Sequence, residues 1–438
     1  MTPTSAAARR NIVGAAIGNA FELFDFTAYA TFATVISYTF FPAGHSDAAL
    51  LMTLATFGIG FLVRPLGAFI IGAYADRHGR RAAMTLTVWV MAAGSAIIAF
   101  LPGYARIGLL APLALVIARL LQGFAAGGEL GAATSILVEN ARENRIGLAG
   151  SWQTTGQHLG ALMSGLLGLI LFLSFDEHTI RDWAWRLPFV FGTLIAPVGI
   201  YLRKTLKETA PTAEERPSFA DFMRQFRNHA FSRLPIGIVY EAGSTIQQYF
   251  FQFAVTYAVH TLHMPVRKAL LINISNGIVG FAGSLSGGLL ADRYGARPVI
   301  IVSRLINAVL YLPVFWLMLQ APSLLNLTLA CAVLMVGNAV SGGAGMAFLA
   351  SLFPKEQRAF GIGLSYSIGV TLFGSTAQLV FAGIISLTGS KLSWIGYVIT
   401  ICALSAVILM ACRNTPRNTL RNTTPATRIT DKKKARPA

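Results

Sequence analysis

The sequence predicts an all-α membrane protein, with twelve transmembrane helices in two six-helix bundles. Composition, the number of apolar runs and an internal repeat lead there independently. Of 438 residues, 54% are hydrophobic and 12% charged, against roughly 45–50% and 25% in soluble domains. That excludes a soluble globular chain, and disordered, collagenous and coiled-coil classes with it. The three cysteines, Cys331, Cys402 and Cys412, all lie in apolar runs. They form neither a disulfide framework nor a spaced metal site, so they read as small buried hydrophobes. No metal and no cofactor is expected.

Apolar runs bounded by Gly, Pro and charge give the spans 12–37, 50–73, 83–101, 110–136, 146–174, 185–202, 233–258, 268–290, 297–319, 323–350, 359–387 and 392–412, each long enough for a membrane helix. The first follows Arg9 and Arg10 as a secretion signal would. It carries Glu22 and Asp25 and runs too long for one, so it is read as a retained helix. After the sixth span, residues 203–232 are polar and divide the chain nearly in half. Within them Ser218 and Asp221 have the form of a capping pair, and Phe219, Phe222, Met223 and Phe226 recur at helical spacing opposite Arg224 and Arg227. An amphipathic helix lying on the inner leaflet is expected there, with a structural role. Beyond Arg413 the chain is rich in Thr, Asn and Pro and ends in basic residues including Lys432, Lys433 and Lys434. This reads as a disordered tail, either touching anionic membrane lipid or simply solvated. The expected domains are 1–202 and 233–412 as the two bundles, 203–232 as a cytoplasmic linker and 413–438 as a cytoplasmic tail.

The net charge of +17 would suggest nucleic acid in a soluble protein. Placement decides otherwise. With both termini inside, the inner segments hold 26 of the 35 Lys and Arg, and the outer loops hold six: Arg106, Arg181, Arg186, Arg267, Lys268 and Lys391. This is the positive-inside bias. It predicts a multi-pass protein of the cell inner (plasma) membrane with both termini cytoplasmic, and no nucleic-acid partner.

The stretch Gly72-Ala-Tyr-Ala-Asp76-Arg77-His-Gly79-Arg80-Arg81 follows the second span, and Gly288-Leu-Leu-Ala-Asp292-Arg293-Tyr-Gly295-Ala-Arg297 follows the eighth, 216 residues later. A second echo pairs Gly128 to Gly156 with Gly342 to Gly369 at an offset of about 214. Parallel repeats of six spans follow, and such repeats place a binding cavity at their interface near mid-membrane.

Both copies resemble the signature loop of the major facilitator superfamily, which lies between helices two and three and recurs between eight and nine. The resemblance implies a gate built from Gly72, Asp76, Arg77, Gly79 and Arg80, and from Asp292 and Arg293 in the second copy. Asp beside Arg in a short turn can make charge-assisted bonds to neighbouring helix ends, holding the bundles together on one side until transport breaks them. The second copy has Ala296 where the first has Arg80, so the first is expected to be the stronger latch.

A narrower resemblance rests on Gly18-Asn19-Ala-Phe-Glu22-Leu-Phe-Asp25-Phe26, Arg64-Pro65-Leu-Gly67, Arg119-Leu-Leu-Gln122-Gly123 and Gly127-Gly128-Glu129. These are similar to the metabolite:proton symporter family, which carries citrate and other carboxylates, α-ketoglutarate, and osmolytes such as proline and betaine. The stretches from Phe57 to Arg81 and from Pro102 to Gly131, with Ser151-Trp152-Gln153, look most like the citrate and tricarballylate symporters. Tyr240-Glu241 in helix seven does not match the citrate pattern. The resemblance implies proton-driven import of a di- or tricarboxylate by rocking of two bundles, the alternative cargo being α-ketoglutarate or a zwitterionic osmolyte. The partners it implies are a small-molecule carboxylate, the proton and membrane lipid, with no obligate protein partner. The sequence has no phosphate-binding loop and no catalytic constellation, so neither direct ATP drive nor an enzyme is expected.

Seven acidic and basic side chains besides histidine sit inside the spans, clear of their ends: Glu22, Asp25, Arg64, Arg119, Glu129, Glu241 and Arg304. Each costs about 3 kcal/mol or more at the bilayer centre unless paired or hydrated. Glu22 and Asp25 share one helix face, and two close carboxylates do not both ionise cheaply. The pair is therefore expected to carry the coupling proton, the alternative being permanent pairing with Arg64 or Arg119. Arg119 and Gln122 fall on one stripe of helix four, where a guanidinium suits a substrate carboxylate; Arg64 is a second candidate. Glu129, between Gly128 and Gly131, is expected to brace close packing. Helix five adds Gln153, Thr154, Gln157 and His158. Helix seven adds Glu241, Ser244, Thr245, Gln248 and Gln252, and helix eight Asn273, Asn276 and Ser284, as the opposite wall. Trp152, Tyr240, Tyr249 and Tyr366 would instead suit a zwitterion as an aromatic cage. Arg304, two turns into helix nine, is expected to play a structural part and to snorkel to the cytoplasm.

Overall fold

A computed structural model describes residues 5–41, 52–53, 56, 58–142, 144–193, 197, 218–260, 262 and 264–412. Among these the regular structure is helical throughout. The helices used below are α1 (Ser5–Thr31), α2 (Gly58–His78), α3 (Arg80–Phe100), α4 (Leu110–Glu139), α5 (Ile146–Ser174), α6 (Phe219–His229), α7 (Leu234–His260), α8 (Val266–Tyr294), α9 (Ala296–Gln320), α10 (Leu324–Leu352), α11 (Lys355–Thr388) and α12 (Ser393–Ala411). Nine helices among the described residues are long and apolar enough to cross a membrane. The two long ones outside that set, α1 and α7, are the first helices of the two halves and carry polar and ionisable side chains at mid-depth. The sixth span starts as helix over 187–193 and then leaves the described residues. The expectations for 203–217 of the linker and for the tail 413–438 also lie outside them.

The halves meet along two seams related by the repeat. In one, α5 of the first half packs on α8 of the second; in the other, α2 and α4 pack on α11. Small residues make the approach possible, since helix association in lipid depends on close van der Waals contact. Across the seam a Cβ on Gly131 of α4 would overlap the backbone carbonyl of Ala359 on α11, and within the first half one on Gly127 would overlap that of Arg64 on α2. Gly127→Val is therefore expected to force α2 and α4 apart, at a cost of about 1–3 kcal/mol or more. The check is the melting temperature and monodispersity of the purified variant against wild type.

The loops after α2 and α8 turn at Gly79 (φ 122°) and Gly295 (φ 91°), a left-handed region that side chains with a Cβ rarely adopt. The same backbone requirement at matching positions explains why both copies keep glycine there.

Ser218 caps α6 as its sequence suggests: its Oγ accepts from Asp221 N at 3.1 Å. Part of its apolar face is covered by protein, however, with Phe219 left exposed. Phe222 and Phe226 are buried, their ring centroids 5.5 and 4.7 Å from that of Phe360. The covering surface is protein because Phe360, near the start of α11, and Phe353, just before that helix, stand against it.

Arg304 is also placed differently from expectation. Rather than snorkelling, it is fully buried and donates to Tyr240 O at 2.6 Å, Ser244 Oγ at 2.6 Å and Ser405 Oγ at 3.0 Å. It ties α7, α9 and α12 together, and those acceptors offset the cost of burying it.

Candidate functional site

A cavity of about 300 Å³ lies between the halves, lined from α1, α2 and α5 on one side and from α7, α8, α10 and α11 on the other. On α1 the lining residues are Leu23, Phe26, Thr27, Tyr29, Ala30 and Thr31; Leu23, Phe26, Thr27 and Ala30 are spaced at three and four along one helical face. Of the residues picked out from sequence, Arg64, Gln157, His158, Glu241, Gln248, Asn273 and Asn276 line it. Thr154, Asn338, Tyr249, Tyr366 and Gln378 line it too. Asn338 and Gln378 were not singled out; the available signal was an amide inside an otherwise apolar span.

Arg64 is 3% exposed and lies 3.9 Å from Glu22. Its guanidinium also stands 4.5 Å from the Phe26 ring centroid and 4.4 Å from that of Phe61. This is how a membrane-buried cation is kept at low cost, by one acid and two aromatic faces.

Arg119, Gln122 and Gln153 lie off the cavity wall. Arg119 is fully buried behind α1, with Phe26 and Tyr29 each 4.4 Å from its guanidinium carbon. It donates to Gln122 Oε1 at 2.7 Å, and Gln122 Nε2 in turn donates to Asp25 at 3.4 Å and to Ser95 at 3.0 Å. Ser95 Oγ donates to Asp25. On α5, Asn19 donates to the Gln153 carbonyl, so Gln153 belongs to the α1 contact.

Glu22 and Asp25 address different partners: Glu22 meets Arg64 on α2, while Asp25 meets Ser95 on α3 and Gln122 on α4. Three residues on a helix leave about 60° between side chains, enough to address different neighbours in a crowded bundle. Asp25 lies in a buried polar network, and neither it nor Ser95, Gln122 and Arg119 line the cavity. Glu129 is buried within α4.

At the end of the bundles bearing the repeated loops, the two aspartates make matching contacts. Asp76 accepts from Ala359 N at 3.3 Å and Phe360 N at 2.8 Å. Asp292 accepts from Gly147 N at 2.6 Å and Leu148 N at 3.0 Å. Each carboxylate thus caps the N-terminus of a helix in the opposite half, where free N–H groups and the helix dipole favour an anion.

The arginine partner is Arg80 rather than the adjacent Arg77. Arg80 lies 3.2 Å from Asp76 and 3.1 Å from Glu139, and donates to Lys355 O at 2.7 Å. Arg358 completes the cluster 3.1 Å from Glu139. Arg77 is half-buried beside Phe219, and Arg293 is exposed beside Tyr294. A side chain one position after the aspartate points some 100° away from it; one four positions on returns to the same face. Gly72 lies against the Phe360 backbone. Ala296 stands where Arg80 does, and the Asp292 cap has no counterpart to the Arg80–Glu139 pair among the described residues.

Asp76→Ala would strand two N–H donors at about 1–3 kcal/mol. With spin labels at exposed His78 and Glu356, it is expected to add a longer-distance population that the wild type lacks.

Two helix bundles sealed at one end and enclosing a polar chamber at mid-depth define a multi-pass membrane carrier, not an enzyme. The chain belongs to the Major Facilitator Superfamily, whose family model matches residues 15–370 and 275–436. It is 35% identical to the citrate-proton symporter of Klebsiella pneumoniae over 91% of this chain and 90% of that one. It is 33% identical to the alpha-ketoglutarate permease of Escherichia coli (strain K12) over 93% and 94%. Among solved structures, the proton:xylose symporter XylE aligns with a TM-score of 0.78 at 16% identity, covering 95% of this chain and 98% of that one. That likeness speaks for the fold of twelve helices in two bundles.

Proposed function

We propose that this chain is a proton-coupled symporter that imports a di- or tricarboxylate, of the citrate or tricarballylate kind, by alternating access. The observation that carries the reading is the cavity wall itself. Arg64 offers a planar guanidinium, and Gln157, Gln248, Asn273, Asn276 and Asn338 surround it with amides, a donor-rich chamber suited to several carboxylate oxygens and a hydroxyl. His158 lines the same wall.

In this reading Asp25, in its separate network with Ser95, Gln122 and Arg119, handles the coupling proton, and Glu22 neutralises Arg64 when the chamber is empty. The Asp76 and Asp292 caps close one end, and breaking them opens it. The positive-inside distribution supports a cytoplasmic location for that end and for both termini, in an inner membrane. The names of the two relatives support a carboxylate cargo.

A second reading is favoured by Tyr240, Tyr249 and Tyr366 on the wall with Glu241. Aromatic faces and one carboxylate suit a zwitterionic osmolyte such as proline or betaine. Uptake into proteoliposomes with an imposed pH gradient, offering citrate, tricarballylate, α-ketoglutarate and glycine betaine in turn, tests both. Gradient-dependent accumulation of citrate or tricarballylate is expected; accumulation of glycine betaine alone would overturn the carboxylate reading.

A further inference from the structure

Glu241 is 2% exposed and lines the cavity from α7. Its Oε1 is buried and has no hydrogen-bond partner among the described residues. The acids of α1 are engaged, Glu22 with Arg64 and Asp25 with Ser95 and Gln122. Arg304 on α9 is within electrostatic reach of Glu241 but directs its guanidinium to the Tyr240 carbonyl and to two serine hydroxyls.

The other titratable groups facing the chamber are Tyr29 from α1, Arg64 from α2, His158 from α5, Tyr240 and Tyr249 from α7, and Tyr366 from α11. Tyr366 stands within electrostatic reach of Glu22 and Arg64 as well as Glu241, so it marks where the two halves converge. Gly369 on α11 lies against the Glu241 side chain, leaving it the space a Cβ would fill.

A carboxylate here, with no donor of its own, would repel an anionic solute arriving at Arg64. A carboxylic acid would instead offer that solute an O–H donor. We propose that Glu241 is protonated when the carboxylate substrate is bound and donates its O–H to a substrate oxygen, so that binding takes up one proton at this side chain. The proton comes from the compartment to which the chamber is open. The O–H bond forms on Glu241 as the solute enters, and it breaks, releasing the proton, as the solute leaves on the other side. This inference rests on the carboxylate reading and adds a second proton-bearing position, distinct from the Asp25 network and on the opposite half.

The test is calorimetric titration of purified full-length protein with citrate in buffers of different ionisation enthalpy, which counts protons taken up per citrate bound. On the alkaline side of neutrality, where Glu241 of the free protein has lost its proton, wild type is expected to take up about one proton more than Glu241→Gln. Glu241→Gln retains an N–H donor, so it should still bind citrate, with a Kd that rises less steeply with pH, by up to about tenfold per unit. Glu241→Asp should keep the extra proton.

Equal proton counts in wild type and Glu241→Gln would overturn the inference while leaving the carboxylate reading intact. So would loss of citrate binding by Glu241→Gln at every pH in a protein that still elutes and melts like wild type. Wild type that binds glycine betaine and no citrate would overturn the carboxylate reading, and this inference with it.

Discussion

Asp25→Asn is expected to abolish accumulation of substrate against its gradient while exchange of internal for external substrate continues. Asp25 is 2% exposed and held by Ser95 and Gln122. Asparagine fits the same space and still accepts a hydrogen bond, but it cannot take up and release a proton. Each unit of pH gradient is worth about 1.4 kcal/mol per proton carried, or roughly tenfold in solute concentration. The wild type should therefore concentrate its solute about tenfold per unit for each proton carried, and the variant, with the Asp25 step lost, should equilibrate. Radiolabelled uptake and counterflow in the same proteoliposomes check this. Proton-driven accumulation by Asp25→Asn equal to wild type would reject the role given to this network.

The second large effect is on affinity, and it separates two arginines that look alike in sequence. Arg64→Ala is expected to weaken citrate binding roughly ten- to hundredfold, the equivalent of one charge-assisted contact of about 1.5–3 kcal/mol. Arg119→Ala should alter affinity far less, because Arg119 stands behind Phe26 and Tyr29 and donates to Gln122. Its loss should instead weaken proton coupling through the Asp25 network. Since Arg64→Ala also strands Glu22, the double variant Arg64→Ala/Glu22→Gln is measured beside it. Calorimetric Kd values decide: affinity lost in Arg119→Ala and kept in Arg64→Ala would move the carboxylate site to α4.

Much of the architecture was legible because lipid imposes a one-dimensional rule. A span must be apolar for about 20 residues, so span count and the division into halves can be read from the chain. The repeated Gly-x3-Asp-Arg loops were equally legible, since both copies must satisfy the same turn and cap. The α6 helix was readable in existence and cap but not in environment: Phe222 and Phe226 would read identically whether they met lipid or Phe360. Arg304 was misplaced for a related reason. Depth along a helix suggested an escape to water, and only the fold showed three acceptors within reach.

The site divided in the same way. Sequence identified nearly every ionisable group in the spans, because a charge in an apolar run stands out. It did not tell which way each one faces. Glu22 and Asp25 share a helix face by spacing, yet address α2 in one case and α3 and α4 in the other. Arg80, not Arg77, completes the first latch, with Glu139 and Arg358 contributed by helices 63 and 282 residues away along the chain from Asp76.

By itself, then, the sequence determined that this chain crosses the membrane many times as two repeated halves with acids and arginines buried between apolar faces, because the cost of burying polarity acts residue by residue. Tertiary structure alone decided which of those groups share a chamber and which share a buried network. Pairing is a property of neighbours in space, and a rotation of some 60° about one helix axis is enough to move a carboxylate from one to the other.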